Sequence, residues 1–162
     1  MGEKAVVYFS RNGSTRLAAE ILAERLGAKL VELKELKQRR NFLISGFRAV
    51  TKKHSTLSGE PSKEIEDCDT LVLAAPIWAG HASPAMNGFL DIAELTGKII
   101  YILTMQADPG HAQSDEVQDH YAGRVKEAGG SVVGRLALTG ASPGKTAKEA
   151  DLRTALEKWK IE

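Results

Sequence analysis

Five short apolar runs, each separated from the next by a stretch of helical periodicity, constrain this chain more than any other feature. The runs are Ala5 to Phe9, Lys29 to Leu33, Thr70 to Ala75, Ile99 to Thr104 and Ser131 to Thr139. Strands that alternate with amphipathic helices bury their apolar faces together as one open parallel sheet with helices on both sides. Thr70 to Ala75 is apolar without alternation, which marks a central strand covered on both faces. The helix from about Ser14 to Leu26 places Leu17, Ala18, Ile21, Leu22 and Leu26 on one stripe before Gly27. Ser83 as N-cap with Pro84 at the first helical position opens another, running to about Leu95. Ser114 is placed to cap a helix carrying Val117, Tyr121 and Val125, and Thr146-Ala147-Lys148-Glu149 reads as a capping box before Leu152, Leu156 and Trp159. The expected fold class is therefore α/β, a five-stranded parallel sheet in a doubly wound sandwich.

Length and composition narrow the function. At 162 residues the chain suits one domain, 1–162, large enough to bury a core without metals or disulfides. A net charge of +1 makes no case for nucleic acid. The longest apolar run, Leu71 to Ala79, is too short for a bilayer and holds Pro76, so no membrane span is expected. Met1-Gly2-Glu3-Lys4 leads directly into a strand with no leader-type apolar region, and the expected location is cytoplasmic. Cys68 is the single cysteine, which excludes an intrachain disulfide and a thiolate zinc site. Flanked by Asp67 and Asp69, it reads as a structural thiol whose pKa is raised.

Residues 34–64 form an insertion between the second and third strands. Lys34 to Lys53 carries seven Lys or Arg against one Glu, with Phe42, Leu43, Phe47 and Val50 spaced for a short helix after Asn41. Two readings stay open: a basic, partly apolar surface for an acidic redox partner or a second subunit, or a cover for the sheet edge with lysines snorkelling into water. His54 to Glu64, with Gly59 and Pro61, is expected as loop.

The first strand runs into Ser10-Arg11-Asn12-Gly13-Ser14-Thr15 and then a helix. Such a junction aims unpaired N–H groups and the positive end of the helix dipole at whatever lies above the sheet, and a phosphate dianion is the natural guest. Ser10, Ser14 and Thr15 add hydroxyls, and Gly13 permits a positive φ or a close approach. Neither G-x-G-x-x-G nor a Gly-Lys-Ser/Thr ending is present, so a dinucleotide fingerprint and a Walker loop are both excluded. Trp78 stands just past the carboxyl end of the central strand, beside Gly80. In open α/β sheets the crevice outside the carboxyl strand ends is where ligands bind. An indole there is either a platform for a planar ring or a residue packed on the sheet edge.

Three loops taken together, Ser10 to Thr15, then Ala75-Pro76-Ile77-Trp78-Ala79-Gly80-His81 before Ser-Pro and a helix, then Thr104-Met105-Gln106, resemble the flavodoxin family in order and spacing. The likeness is strongest to flavodoxin-like proteins with a Pro-x-Trp-Ala-Gly loop, and Ser45-Gly46-Phe47 with Lys52-Lys53 has their look as well. The resemblance implies strand order 2-1-3-4-5 and noncovalent FMN. It implies phosphate on Ser10, Arg11, Asn12, Gly13, Ser14 and Thr15, and the isoalloxazine against Pro76, Ile77, Trp78, Ala79, Gly80 and His81. The other ring edge is implied near Thr104, Met105, Gln106, Asp108 and Gly110. No side chain is expected to act as a nucleophile, and Asp115, Glu116 and Asp119 read as a solvated first turn, so no metal site is expected.

With aromatic stacking and no cation expected near the ring N1, the anionic reduced ring is expected to be disfavoured. The Ala79-Gly80 peptide is the candidate for a carbonyl that turns toward the flavin N5. His81 has two readings, proton donor to the ring or loop residue bonded to backbone, and Asp108 is either a ring contact or a turn residue before Pro109. Many flavodoxins stack a tyrosine where this chain has Met105-Gln106 and are strongly acidic where this one is nearly neutral. The functional expectation is an electron-transfer protein shuttling between redox partner proteins. The alternative is an FMN-dependent NAD(P)H or quinone oxidoreductase working as a homodimer.

Overall fold

The computed structural model describes residues 2–36, 54–141 and 145–162. The proposed helix at Phe42 to Val50, with Ser45-Gly46-Phe47 and Lys52-Lys53, lies outside them. Among the described residues ten elements run in order: β1 (Glu3–Tyr8), α1 (Ser14–Leu26), β2 (Lys29–Glu32), α2 (Pro61–Glu64), β3 (Cys68–Pro76), α3 (Pro84–Ile92), β4 (Ile99–Gln106), α4 (Ser114–Glu127), β5 (Ser131–Thr139) and α5 (Glu149–Glu157). These five strands pair in parallel throughout and their order is β2-β1-β3-β4-β5, as expected.

Alternation along each strand assigns the two faces. Val7, Leu71, Leu73, Ile100 and Ile102 pack with Met86 and Phe89 of α3 and with Val117, Tyr121 and Val125 of α4. Val6, Tyr8, Val72, Ala74, Tyr101 and Leu103 pack with Ala18, Ile21 and Leu22 of α1 and with Leu152 and Leu156 of α5. The sheet is thus covered on both sides, which is why its central strands read as unbroken apolar runs. Among the described residues no helix is long and apolar enough to cross a membrane.

Differences from the sequence reading have identifiable causes. Residues 61–64 form a short helix with Pro61 at its start, where a loop was expected. β3 extends through Pro76, because β1 has ended at Tyr8 opposite Ala74 and the ladder to β4 continues through Ile77 N–H to Met105 O at 2.8 Å. Ser83 does cap α3, accepting the Met86 N–H at 3.4 Å. Ser114 does not cap α4: it is the first helical residue, and its hydroxyl donates to Gln106 Oε1 at 3.3 Å. Thr146 does not cap α5 either; Lys148 holds the cap position without a side-chain bond, and Thr146 is bonded elsewhere. Cys68 is buried, and burial above all pushes its thiol pKa up, with the nearby acids a smaller contribution.

Candidate functional site

The loops after β1, β3, β4 and β5 leave the sheet at its carboxyl edge and enclose a cleft of ≈ 590 Å³, within the range of ligand pockets. The sheet changes direction between β1 and β3, so the loops of these neighbouring strands diverge and leave a crevice.

One wall is the turn between β1 and α1. Gly13 is the N-cap of α1 at φ 90° and ψ −16°, and no side chain caps the helix. The first intrahelical bond is Leu17 N–H to Gly13 O at 2.9 Å, so the N–H groups of Ser14, Thr15 and Arg16 have no intrahelical acceptor. Ser10 Oγ accepts the Gly13 N–H at 3.1 Å, and Ser14 Oγ accepts the Ala147 N–H at 2.9 Å. Both hydroxyls act there as acceptors, so each still has its proton to donate. The first turn of α1 holds no acidic side chain, whereas α4 opens with Asp115 and Glu116 and α5 with Glu149 and Asp151. An uncapped helix start with spare hydroxyl donors and no carboxylate suits a dianion. From outside, Thr146 donates to Asn12 O at 2.7 Å and lies 3.2 Å from where a Cβ on Gly13 would sit.

The second wall is a tight hairpin tip. Trp78 and His81 exchange backbone bonds, His81 N–H to Trp78 O at 2.9 Å and the reverse at 3.4 Å. Ala79 and Gly80 between them have φ 49° and 75°. Two successive positive φ angles give a type I′ turn, favoured by glycine or asparagine, so alanine is held here at some cost. Turning the Ala79-Gly80 peptide over converts the turn to type II′, whose first central position belongs to glycine. Ala79 therefore resists the rotation expected from the flavodoxin resemblance. Gly80 has its own constraint: a Cβ there would meet Gln113 Cγ at 3.0 Å. Behind the hairpin, the buried Tyr121 hydroxyl accepts the Ser83 N–H at 2.7 Å, and burial pushes its pKa well up.

Trp78 is half-buried, with Phe9 against its edge at 5.9 Å and 75°. Arg11 lies over its ring with Cζ 4.5 Å from the centroid. A guanidinium thus shares the indole with the cleft.

Of the residues singled out from the sequence, the cleft brings together Ser10, Arg11, Asn12, Ser14 and Thr15, then Pro76, Ile77, Trp78, Ala79 and Gly80, then Met105, Gln106 and Asp108. Four are not in its lining. Gly13 supports the first wall from behind. His81 is exposed, with its backbone engaged in the hairpin. Thr104 is buried and its hydroxyl accepts from Gln118 Nε2 at 2.8 Å, so it serves α4. Gly110 is exposed and gives its N–H to Asp108 Oδ1 at 3.1 Å. Asp108 also accepts the Ala112 N–H at 3.4 Å, which makes it a turn-forming residue that happens to border the cleft.

The sequence reading missed Ala107, Gln113, Gly140 and Ala141. Gly140 was recoverable, since it follows the last strand and β5 pairs with β4. Gln113 was not: it reaches the cleft because 107–113 folds back, and its Oε1 accepts from Gln106 Nε2. Among the described residues no cluster of His, Cys, Asp and Glu is suited to a metal ion.

The likeness to known structures covers nearly the whole chain. The Trp repressor binding protein from Bacillus subtilis superposes with TM-score 0.68 at 17% identity, covering 96% of this chain and 95% of that one. A flavodoxin, WrbA-like protein from Agrobacterium tumefaciens gives 0.64 at 19%, covering 96% and 90%. A flavoprotein from Lactobacillus acidophilus, solved in complex with FMN, gives 0.62 at 16%, covering 85% and 93%. At these identities the likeness establishes the fold. No curated protein sequence matches. The family model for NADPH-dependent FMN reductase matches residues 8–142, a stretch that contains every loop of the cleft. By that match the chain belongs to the NADPH-dependent FMN reductase family, with FMN as its cofactor.

Proposed function

We propose that the protein is an FMN-dependent oxidoreductase that draws electrons from a reduced nicotinamide dinucleotide and passes them to a second acceptor, with quinones the first class to test. In this reading the FMN phosphate lies on the start of α1 with Ser10, Asn12, Ser14 and Thr15. The isoalloxazine runs along Pro76, Ile77, Trp78, Ala79 and Gly80, and its far edge meets Met105, Gln106, Asp108 and Gln113. When bound, FMN supplies a ring that takes up two electrons and one proton to become a monoanion. The chain's own residues bind, orient and shield; none is placed as a nucleophile. The observation that carries the reading is the family match across all four walls of the cleft.

The electron-carrier reading stands second, favoured by the exposure of Ala79, His81 and Ala107 to Gly110 at the rim, where a partner protein has access. The family match moves it behind the enzyme. We further infer one flavodoxin-like domain of the Pro-x-Trp-Ala-Gly type, a homodimer in solution and a cytoplasmic location.

The deciding experiment is anaerobic titration of the FMN-loaded protein with NADPH alone, followed by addition of a quinone. The enzyme reading expects loss of the visible flavin absorption without any other protein, and its return on quinone addition. Reduction that requires a separate reductase protein overturns it in favour of the carrier. Failure of the purified chain to retain FMN on gel filtration overturns both. Light scattering at working concentration tests the dimer.

A further inference from the structure

We propose that Arg11 sets the reduction potential of the bound flavin, by holding a guanidinium, without an ion pair among the described residues, against Trp78 where it stabilises the negative charge of the reduced ring. This rests on the FMN reading above and reassigns Arg11 from the phosphate to the ring.

Three observations support it. First, the guanidinium carbon stands 4.5 Å over the Trp78 ring, and both residues line the cleft. A planar cation on an indole face is a favourable pair in its own right, so the position has a physical reason. Second, among the described residues every other arginine is engaged. Arg16 pairs with Glu20 and Glu32, Arg124 with Asp91 and Glu127, Arg135 with Asp119, and Arg153 with Glu24 and Glu149. Arg25 donates to the carbonyls of Leu156 and Trp159. Arg11 has neither an ion pair nor a hydrogen bond among the described residues, so no carboxylate cancels its charge. The acid in the cleft lining, Asp108, accepts the N–H groups of Gly110 and Ala112 and forms no ion pair with Arg11. Third, the phosphate end is already provided with donors by the uncapped start of α1 and the spare protons of Ser10 and Ser14.

The electron balance gives the direction. A reduced nicotinamide delivers two electrons and one proton, and the ring that receives them ends one charge more negative than it began. A fixed cation one aromatic ring away favours that product over the neutral oxidised ring. Arg11 therefore shifts the couple toward two-electron reduction by the dinucleotide.

The test compares wild type, Arg11→Gln and Arg11→Lys, each loaded with FMN, by equilibrating the bound flavin with a reference dye of known potential. Arg11 is exposed, and circular dichroism of each variant checks the fold. The potential reports the ratio of affinities for reduced and oxidised FMN. Arg11→Gln is expected to lower that ratio by about tenfold, a downward shift of ~30 mV for a two-electron couple. Its affinity for oxidised FMN should stay within about threefold, roughly 0.6 kcal/mol. Arg11→Lys should recover at least half of the shift, because it keeps the charge while losing the flat stack. An unchanged potential with weakened binding of oxidised FMN overturns the proposal and returns Arg11 to the phosphate. An unchanged potential with a raised KM for NADPH also overturns it, assigning Arg11 to the dinucleotide. Wild-type protein that holds no FMN brings down the cofactor reading itself, an outcome distinct from either of these.

Discussion

Gly13→Ala separates the backbone requirement of the phosphate wall from its chemistry. Gly13 sits at φ 90° and ψ −16°, beyond the small left-handed region open to residues with a Cβ. Forcing alanine there costs about 1–3 kcal/mol. The new Cβ also arrives 3.2 Å from Thr146 Oγ1, a contact that Thr146 can relieve by shifting away from Asn12 O. Losing that hydrogen bond adds about 0.5–1.5 kcal/mol. Together these predict roughly 2–4 kcal/mol, or about 4–16 °C in Tm for a chain of this size. The assay is urea denaturation of the FMN-free protein for wild type, Gly13→Ala, Thr146→Ala and the double variant. Because the contact exists only when both side chains are present, Gly13→Ala should cost at least about 0.5 kcal/mol less in the Thr146→Ala background. FMN affinity should fall in parallel, since the same turn presents the free N–H groups of α1. A Gly13→Ala protein with wild-type denaturation midpoint and wild-type FMN affinity would refute the strained-turn argument. Full additivity in the cycle would refute the Thr146 contact.

Other substitutions read other walls. Trp78→Ala should weaken FMN binding by about ten- to a hundredfold, equivalent to ~1.4–2.8 kcal/mol, and shift the bound potential; fluorescence titration and dye equilibration check both, and unchanged values mean the ring lies elsewhere. Ala79→Gly removes the cost of φ 49° at a non-glycine residue, worth about 1–2 kcal/mol, against a loss of roughly 0.4–1 kcal/mol to unfolded-chain freedom; denaturation should show neutral to slightly higher stability, and a clear loss contradicts the type I′ turn. His120, hydrogen-bonded to Asn87 Oδ1 at 2.7 Å, has its pKa lowered first by burial and then by Arg124 and His54, with Glu127 opposing. A histidine with a lowered folded pKa contributes stability that is complete above its unfolded value of about 6.5, and that is lost as pH falls through the folded value. Thermal melts from pH 8 to pH 5 should therefore fall on the acid side, and His120→Gln should flatten that fall.

Most of the architecture was legible because both sheet faces are covered and each of the four long helices among the described residues carries an apolar stripe. Ser131 to Thr139 and Ser14 to Leu26 coincide with their expected bounds, since a strand between Gly130 and Gly140 and a helix ending at Gly27 are delimited by local chemistry. The two misread caps share one cause, a polar side chain recruited to another part of the fold. Thr146 and Ser114 have the residue type and spacing of caps, but each spends its hydroxyl on a different loop of the cleft, on Asn12 O and Gln106 Oε1 respectively. No window of sequence around 146 contains residue 12. The surroundings of Arg11 show the same limit: only the hairpin brought up from β3 supplies the indole it lies on.

These cross-chain bonds are more than corrections, because they close a circuit around the cleft. The segment after β5 is tied to the first loop through Thr146 to Asn12 and Ala147 to Ser14, and to β4 through Gly140 N–H to Gln106 O at 2.9 Å. Gln106 continues to Gln113 and Ser114, Gln113 packs under Gly80, and the exit of the Trp78 hairpin is fixed by Ser83 on Tyr121. Each wall thus hangs from a different strand of the sheet and is braced to its neighbour. A site held this way loses little conformational freedom when its ligand arrives, so contact energy appears as affinity and is not spent on ordering loops. It follows that residues with no atom on FMN control its binding: Tyr121→Phe, which removes the acceptor of the Ser83 N–H and leaves the ring packing intact, should weaken FMN in solution titration even though Tyr121 does not line the cleft.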